Sequence, residues 1–229
     1  FEFIVVNDNS TDATNQILKK IKDPRLKIIT NKAKLGLTTS LNICLKRSKG
    51  EFIARMDADD IARRDRFTKQ VNFLDKYKEI GVVGSWVELI DHNGKKRGIL
   101  KFPLSHQEIS KKIFLFNPLR HSTVMFRKEL IYKYGFYDEK LDGAEDYDLW
   151  LRLGKFTKIA NIGLPLLKYR LHDERVSEKE ERKVLKAAIM ARIKAIRFYN
   201  YPFWKLLYLI KPILTYFIPS KVKKVFLKQ

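Results

Sequence analysis

A chain of 229 residues, 45% of them hydrophobic, holds enough apolar material for one large domain with an appendage, which excludes a globally disordered protein. Its 47 lysines and arginines against 26 acids give a formal charge of +21, which points to an anionic partner: nucleic acid, an acidic membrane surface or a phosphorylated substrate. The single cysteine, Cys44, excludes an internal disulfide and sits in an apolar helical pattern as a core thiol, which fits a reducing compartment. No zinc-type Cys/His spacing occurs, and no uncharged apolar run reaches the ~20 residues that span a bilayer.

The chain starts in a strand-like run with no initiator Met or leader before it, so it is expected to begin within a fold. Residues 3–6 are continuously apolar, as in a strand buried on both faces. Ser10 or Thr11 can cap a helix running through Ile17, Leu18 and Ile21. Asp8, between strand and helix, reads either as a turn residue or as a ligand carboxylate. A turn at Asp23-Pro24, a strand at 26–29, a loop at 31–36 and a helix at 37–45 follow. Next, an apolar run from Phe52 ends in Asp57, Asp59 and Asp60. Carboxylates this dense repel one another and are stable together when solvated or when a hard cation neutralises them. Strand, helix, strand, helix, strand argues a parallel sheet with helices on its faces, whose carboxyl edge is the usual ligand site.

Residues 66–77 have the spacing of an amphipathic helix with Phe67, Val71 and Leu74 inward. Residues 81–90 form a strand that ends in the hairpin signal Asp91-His92-Asn93-Gly94, with His92 a solvated turn residue. Ser105 opens a helix through Ile109, Ile113 and Phe114, and a polar loop carrying His121, read as structural, feeds another strand. A second acidic cluster, Glu145-Asp146-Tyr147-Asp148, opens a helix whose buried face is Leu149, Trp150 and Leu153. Helix capping accounts for acids there; a heavy aromatic anchor would equally hold them rigidly at a cleft. Residues 164–171 are strand-like and lead to His172. Beyond Ser177 a long helix runs through Leu185, Ile189, Ile193 and Ile196, followed by an aromatic and aliphatic stretch over 199–217 and a lysine-rich end. This segment reads as an appendage packed on the main domain with a solvated basic face. The preferred alternative is an interfacial anchor in which Tyr199, Tyr201, Trp204, Tyr208, Tyr216 and flanking lysines lie in an anionic headgroup layer.

Three motifs in this order and spacing, Val6-Asn7-Asp8-Asn9-Ser10-Thr11-Asp12, Ala54-Arg55-Met56-Asp57-Ala58-Asp59-Asp60 and Glu145-Asp146-Tyr147-Asp148-Leu149-Trp150-Leu151-Arg152, resemble the family 2 glycosyltransferases, with Tyr169-Arg170-Leu171-His172 behind them. The resemblance implies an α/β, Rossmann-like GT-A fold: a mixed, mainly parallel sheet with flanking helices over residues 1–175, here without the family's first strand and helix. Residues 176–229 lie beyond the resemblance as a helical, basic and aromatic appendage, for which composition sets the expectation of membrane association. The resemblance implies an inverting, metal-dependent enzyme using a nucleotide-activated sugar, usually UDP-linked. Asp8 matches the base-contacting acid, Asp57 the first acid of the DxD motif near the ribose, and Asp59 the ligand of Mn²⁺ or Mg²⁺. Asp146 matches the general base with Glu145 beside it, and His172 a metal or diphosphate ligand. The Gln-x-x-Arg-Trp signature of processive synthases is missing, which favours single-sugar addition to a saccharide or lipid-linked saccharide in cell-surface polysaccharide or glycolipid synthesis. The expected location is cytoplasmic, peripheral at the inner face of the cell membrane. The rivals are a metal-dependent sugar nucleotidyltransferase and a non-catalytic scaffold of the same fold. No nucleic-acid-binding motif accompanies the charge, and acids at a cleft would repel phosphates, so no nucleic acid is expected.

Overall fold

The alternation of the first half folds as its pattern dictates. β1 (Phe3–Asn7) crosses through α1 (Thr14–Lys20) to β2 (Leu26–Thr30), which pairs with it in parallel, Val5 opposite Ile28; α2 (Leu37–Arg47) follows. A computed structural model of the protein describes residues 1–171 and 181–217. Among the described residues, β1 and β2 make a sheet of their own. Glu2 ties it to the rest by accepting the backbone N–H groups of Lys49 and Gly50, just ahead of β3 (Phe52–Ala54).

The second sheet is centred on β5 (Ile80–Ile90), whose Val82, Val83, Val87 and Ile90 are fully buried. Its strand order is β3, β7 (Met125–Arg127), β5, β8 (Lys158–Arg170), β4 (Ile61–Ala62), with β6 (Lys96–Leu100) also on β5. Parallel pairing is found in β1–β2 and β5–β8; the remaining pairs are antiparallel. The sheet is mixed, as expected, with a smaller parallel share than the start of the chain suggests. The cause is local: antiparallel neighbours need only a tight turn, and Asp91-His92-Asn93-Gly94 supplies one. Asp91 accepts the N–H groups of Asn93 and Lys95, and Gly94 takes φ 81°, which returns β6 along β5.

β8 begins well before the expected 164. Asn161 conceals its first half: this polar residue is buried because its side-chain amide donates to the carbonyls of Pro103 (2.7 Å) and Pro118 (3.1 Å). In α3 (Arg66–Lys76) the inward row is Arg66, Gln70 and Leu74, and Phe67 is substantially exposed. Arg66 donates to the carbonyls of Arg55 (2.7 Å) and Val124 (3.2 Å), and Gln70 to that of Thr123 (2.7 Å). Buried carbonyls at the ends of short strands need partners, and here a polar helix face provides them. α4 (His106–Lys112) starts at a reciprocal cap between Ser105 and Glu108, and α5 (Lys128–Tyr134) leaves directly from β7. α6 (Glu145–Leu153) is anchored as expected by Leu149, Trp150 and Leu153, all fully buried.

The appendage shares the main core. α7 (Glu181–Phe198) presents Ala187, Ala191 and Ala195 inward, spaced one helical turn apart, while Ile193 is exposed. Small residues let the helix backbone approach closely, so the contact face is rotated from the isoleucine row the sequence suggests. Arg192, buried in the same face, donates to the carbonyls of Phe114 and Leu115. Asp148 of α6, fully buried, accepts from Tyr199 Oη (3.0 Å) and Lys194 Nζ. Tyr201 Oη donates to Leu151 O (3.0 Å), and Tyr208 packs on the core. Three aromatics expected in a headgroup layer therefore point inward. A 3₁₀ segment, Phe203–Leu209, then leads into α8 (Ile210–Phe217). Among the described residues, no helix is long and apolar enough to cross a membrane.

Candidate active site

Strand β1 delivers Asp8 to its carboxyl end. The carboxylate accepts from Asn31 Nδ2 (2.7 Å) and from the N–H groups of Leu35 (2.8 Å) and Gly36 (2.8 Å), the last at φ 89°. Partial burial favours the proton, but these three donors outweigh it and hold Asp8 below its usual value. A carboxylate has about four lone-pair directions, so most are spent on shaping the 31–36 loop.

β3 ends where Arg55 N–H bonds Val124 O (3.0 Å), and the acidic loop follows. Arg55, buried, grips Asp57 with both guanidinium nitrogens (2.6 and 2.5 Å). Asp59 is exposed. Asp60 is buried and accepts the N–H of Arg170 (3.0 Å) at the end of β8. Burial raises its proton affinity, and the charges of Asp57 and Asp59 add to that. The Arg170 guanidinium in turn bonds the carbonyls of Asp59 (3.0 Å) and His92 (2.9 Å), strapping the acidic loop to the β5–β6 turn. One oxygen of each of Asp57, Asp59 and Asp60 lies within 4.8 Å of the others. That all-oxygen set fits a hard divalent cation, with Asp57 partly neutralised by Arg55 and Asp59 at the solvent side.

The N-terminus of α6 carries the second pair. Glu145, buried, accepts the N–H of Gly143 (2.8 Å), and its other oxygen lies 3.9 Å from His121 Nδ1. Asp146, half-buried, accepts from Asn117 Nδ2 (2.8 Å) and from Tyr147 N (2.6 Å). Burial first, and then the neighbouring charge of Asp146, raises Glu145 above the usual carboxylate range. Burial raises Asp146 as well, opposed by the Asn117 and Tyr147 donors and by the charges of Arg55 and Arg120. His121 is held neutral, first by burial and then by Arg55, and bonds Tyr137 Oη at 2.8 Å. Arg55 thus acts electrostatically on the second pair while chelating the first cluster. His121, Glu145 and Asp146 also have ligand atoms within 4.8 Å of one another. Two carboxyl groups of raised pKa beside a neutral, buried histidine are suited to handling a proton.

The structure thus positions Asp8, Asp57, Asp59, Glu145 and Asp146 at strand and helix ends, and brings Arg55 between the two acidic clusters. His172 lies outside the described residues. Arg55, Asn117 and Tyr137 are additions that sequence reading does not single out, and His121, read there as structural, lies beside the α6 pair. The only sequence hint is that Arg55 and Asn117 stand within or beside polar loops. A depression of about 460 Å³ between Glu51, Arg127, Lys128, Glu129 and Tyr132 sits at the opposite end of β3 and has no part in this arrangement.

A family model described as glycosyl transferase family 2 matches residues 1–135, more than half of the chain. The chain belongs to glycosyl transferase family 2. Glu145 and Asp146 fall just beyond the matched stretch of the family model. An uncharacterized glycosyltransferase of Haemophilus influenzae is 37% identical over 187 residues, covering 77% of this chain and 58% of that protein. The amylovoran biosynthesis glycosyltransferase AmsE of Erwinia amylovora is 33% identical over 165 residues, covering 72% of this chain and 61% of that protein. The chain thus spans less than two thirds of the length of either relative. Among solved structures, S. aureus TarS 1-349 in complex with UDP-GlcNAc superposes with a TM-score of 0.62 at 22% identity, covering 83% of this chain and 57% of that one. Mannosyltransferase PcManGT from Pyrobaculum calidifontis, in complex with GDP-Man and Mn²⁺, gives 0.61 at 19% identity, covering 86% and 55%. These likenesses bear out the GT-A fold.

The raised pKa values of the α6 pair give family 2 chemistry here a definite pH signature. If Asp146 must be ionised to act, the initial rate falls as pH drops through a value above the ~4 of an ordinary carboxylate. The same shift has the opposite sign for stability. Folded-state pKa values above the unfolded ones make the pair's contribution fully present at low pH, and it is lost as pH rises through the raised values. Initial rate measured across pH checks the acid limb, and comparison of the thermal midpoint with that of Asp146→Asn isolates the pair's share from that of His121, whose lowered pKa acts with the opposite sign.

Proposed function

We propose that the protein is an inverting, non-processive glycosyltransferase that moves a sugar from a nucleotide diphosphate, UDP by preference, to a hydroxyl of a saccharide or lipid-linked saccharide. The reading rests on one observation: two acidic clusters linked through Arg55, in the second of which, the α6 pair, both carboxyl groups have raised proton affinity. The names of relatives acting in amylovoran biosynthesis, and of neighbours seen with UDP-GlcNAc or with GDP-Man and Mn²⁺, support it. Cell-surface polysaccharide or glycolipid synthesis in the cytoplasm goes with it.

Asp8 and the loop it orders would bind the nucleotide, with Asp57 oriented by Arg55 toward the ribose. Mn²⁺ or Mg²⁺ held by Asp59, with Asp60 and Asp57 beside it, would neutralise charge developing on the departing diphosphate. Asp146 accepts the proton of the attacking hydroxyl. Asn117 fixes one of its oxygens and the Tyr147 N–H the other, so the carboxylate is held in place and meets the acceptor through the lone pairs these donors leave. A base on the face opposite the nucleotide permits one direct displacement, hence inversion. Glu145, protonated more readily than an ordinary glutamate, limits the negative charge beside Asp146.

Product analysis tests the reaction class. Incubation with nucleotide sugars, Mn²⁺ and a saccharide acceptor should release nucleoside diphosphate. Release of pyrophosphate from nucleoside triphosphate and sugar phosphate would instead make the protein a nucleotidyltransferase, and turnover of neither would leave a scaffold.

A further inference from the structure

We propose that the outer face of the C-terminal helical segment is a docking surface for an anionic lipid bilayer. The inward and outward residues of this segment separate cleanly. Tyr199, Tyr201, Tyr208 and Leu209 face the core. Ile210, Leu214 and Phe217 follow one another at steps of four and three on α8, the spacing of a single helical stripe, and Phe203 and Leu207 of the preceding 3₁₀ segment extend the apolar surface; each of the five is more than half exposed. Phe203 and Phe217, at the two ends, are 76% and 74% exposed. Nothing in the described fold covers this seam, and an apolar stripe of such length on a soluble surface marks an interaction site.

Charge selects the occupant. No acidic residue follows Glu181, while Arg197, Lys205 and Lys211 punctuate the described part of the segment and further lysines end the chain. Lys211 lies on α8 next to Ile210, and Lys155, from the loop after α6, donates to Asn200 O (3.1 Å) just ahead of the segment. A second copy of a chain carrying +21 would bring like charge to like charge. A bilayer rich in anionic headgroups offers an apolar interior for the stripe and negative charge for its rim. The proposal needs no assumption about the reaction, and its test uses no substrate.

The test is flotation of the whole chain with vesicles of phosphatidylcholine alone and of phosphatidylcholine with phosphatidylglycerol, at low and high salt. The protein should float with the anionic vesicles, less with neutral ones, and less as salt rises. The Leu207→Asp/Leu214→Asp variant, altered at exposed positions, should keep its melting temperature and lose roughly 100-fold in partitioning. Should that variant not fold, Lys211→Glu decides: weaker binding to anionic vesicles with neutral ones unaffected supports the proposal. Absence of vesicle binding by the unmodified chain, or binding indifferent to both variants and to salt, overturns it. Self-association in light scattering that the Leu207→Asp/Leu214→Asp change abolishes, without vesicle binding, assigns the seam to a second copy instead.

Discussion

Asp146→Asn should lower turnover by about 10²–10⁴-fold, the usual contribution of a positioned base, with donor affinity close to that of the unmodified protein. The substitution keeps shape and removes the ability to take up a proton. An asparagine has one carbonyl oxygen for the two bonds this carboxylate accepts, from Asn117 and from the Tyr147 N–H, so one of the two is kept and the melting temperature is measured alongside turnover. The pH dependence of the remaining activity should lose its acid limb, because the group that titrates is gone. Single-turnover rates and donor affinity, measured on the same preparation, check this. A merely structural role for Asp146 would show the reverse pattern: a lower melting temperature with kcat unchanged.

Replacing Asp59 with Ala should act on binding. Its carboxylate is the exposed member of the Asp57, Asp59 and Asp60 group. Loss of it leaves a pair whose charge is already partly met by protein donors. Outer-shell partners of metal ligands are worth about 10–100-fold in metal affinity, so removal of a direct ligand should cost at least roughly 100-fold. The fold should tolerate the change, because Asp59 is exposed and the loop is held by other bonds: Arg170 to the carbonyl of residue 59 and to Asp60. Titration of Mn²⁺ in the presence of UDP checks the magnitude.

The acids themselves were legible in the sequence because each stands where a pattern changes. Asp8 and Asp57 end apolar runs, and Asp146 begins a helix whose Leu149, Trp150 and Leu153 repeat announces its buried face. The hairpin at Asp91-His92-Asn93-Gly94 was equally legible, since turn chemistry is local. What joins the acids was not. Asn117 and the Arg66–Gln70 pair act through bonds to groups distant in the chain, Asp146, Val124 O and Thr123 O, and Arg55 acts by charge on the distant Glu145 and Asp146. A side chain that satisfies a remote carbonyl leaves no periodicity behind. The face of α7 was misread for a related reason. Its contact is made by alanines, whose weak hydrophobic signal is outweighed by isoleucines that turn out to lie beside or outside the interface. Composition alone puts Tyr199, Tyr201, Trp204, Tyr208 and Tyr216 in one surface class, whereas the Asp148 carboxylate and the Leu151 carbonyl draw the hydroxyls of Tyr199 and Tyr201 inward.

The division of labour between the two acidic clusters can be read in a single calorimetric comparison. UDP-sugar is titrated with and without Mn²⁺ into the unmodified protein, Asp59→Ala and Asp146→Asn. Metal-dependent binding should be present in the first and third and absent from the second, with Asp146→Asn inert in turnover despite binding. Metal-dependent binding that survives in Asp59→Ala, or that disappears in Asp146→Asn while its fold is intact, would contradict the assignment of cation binding to the β3 loop and proton transfer to α6.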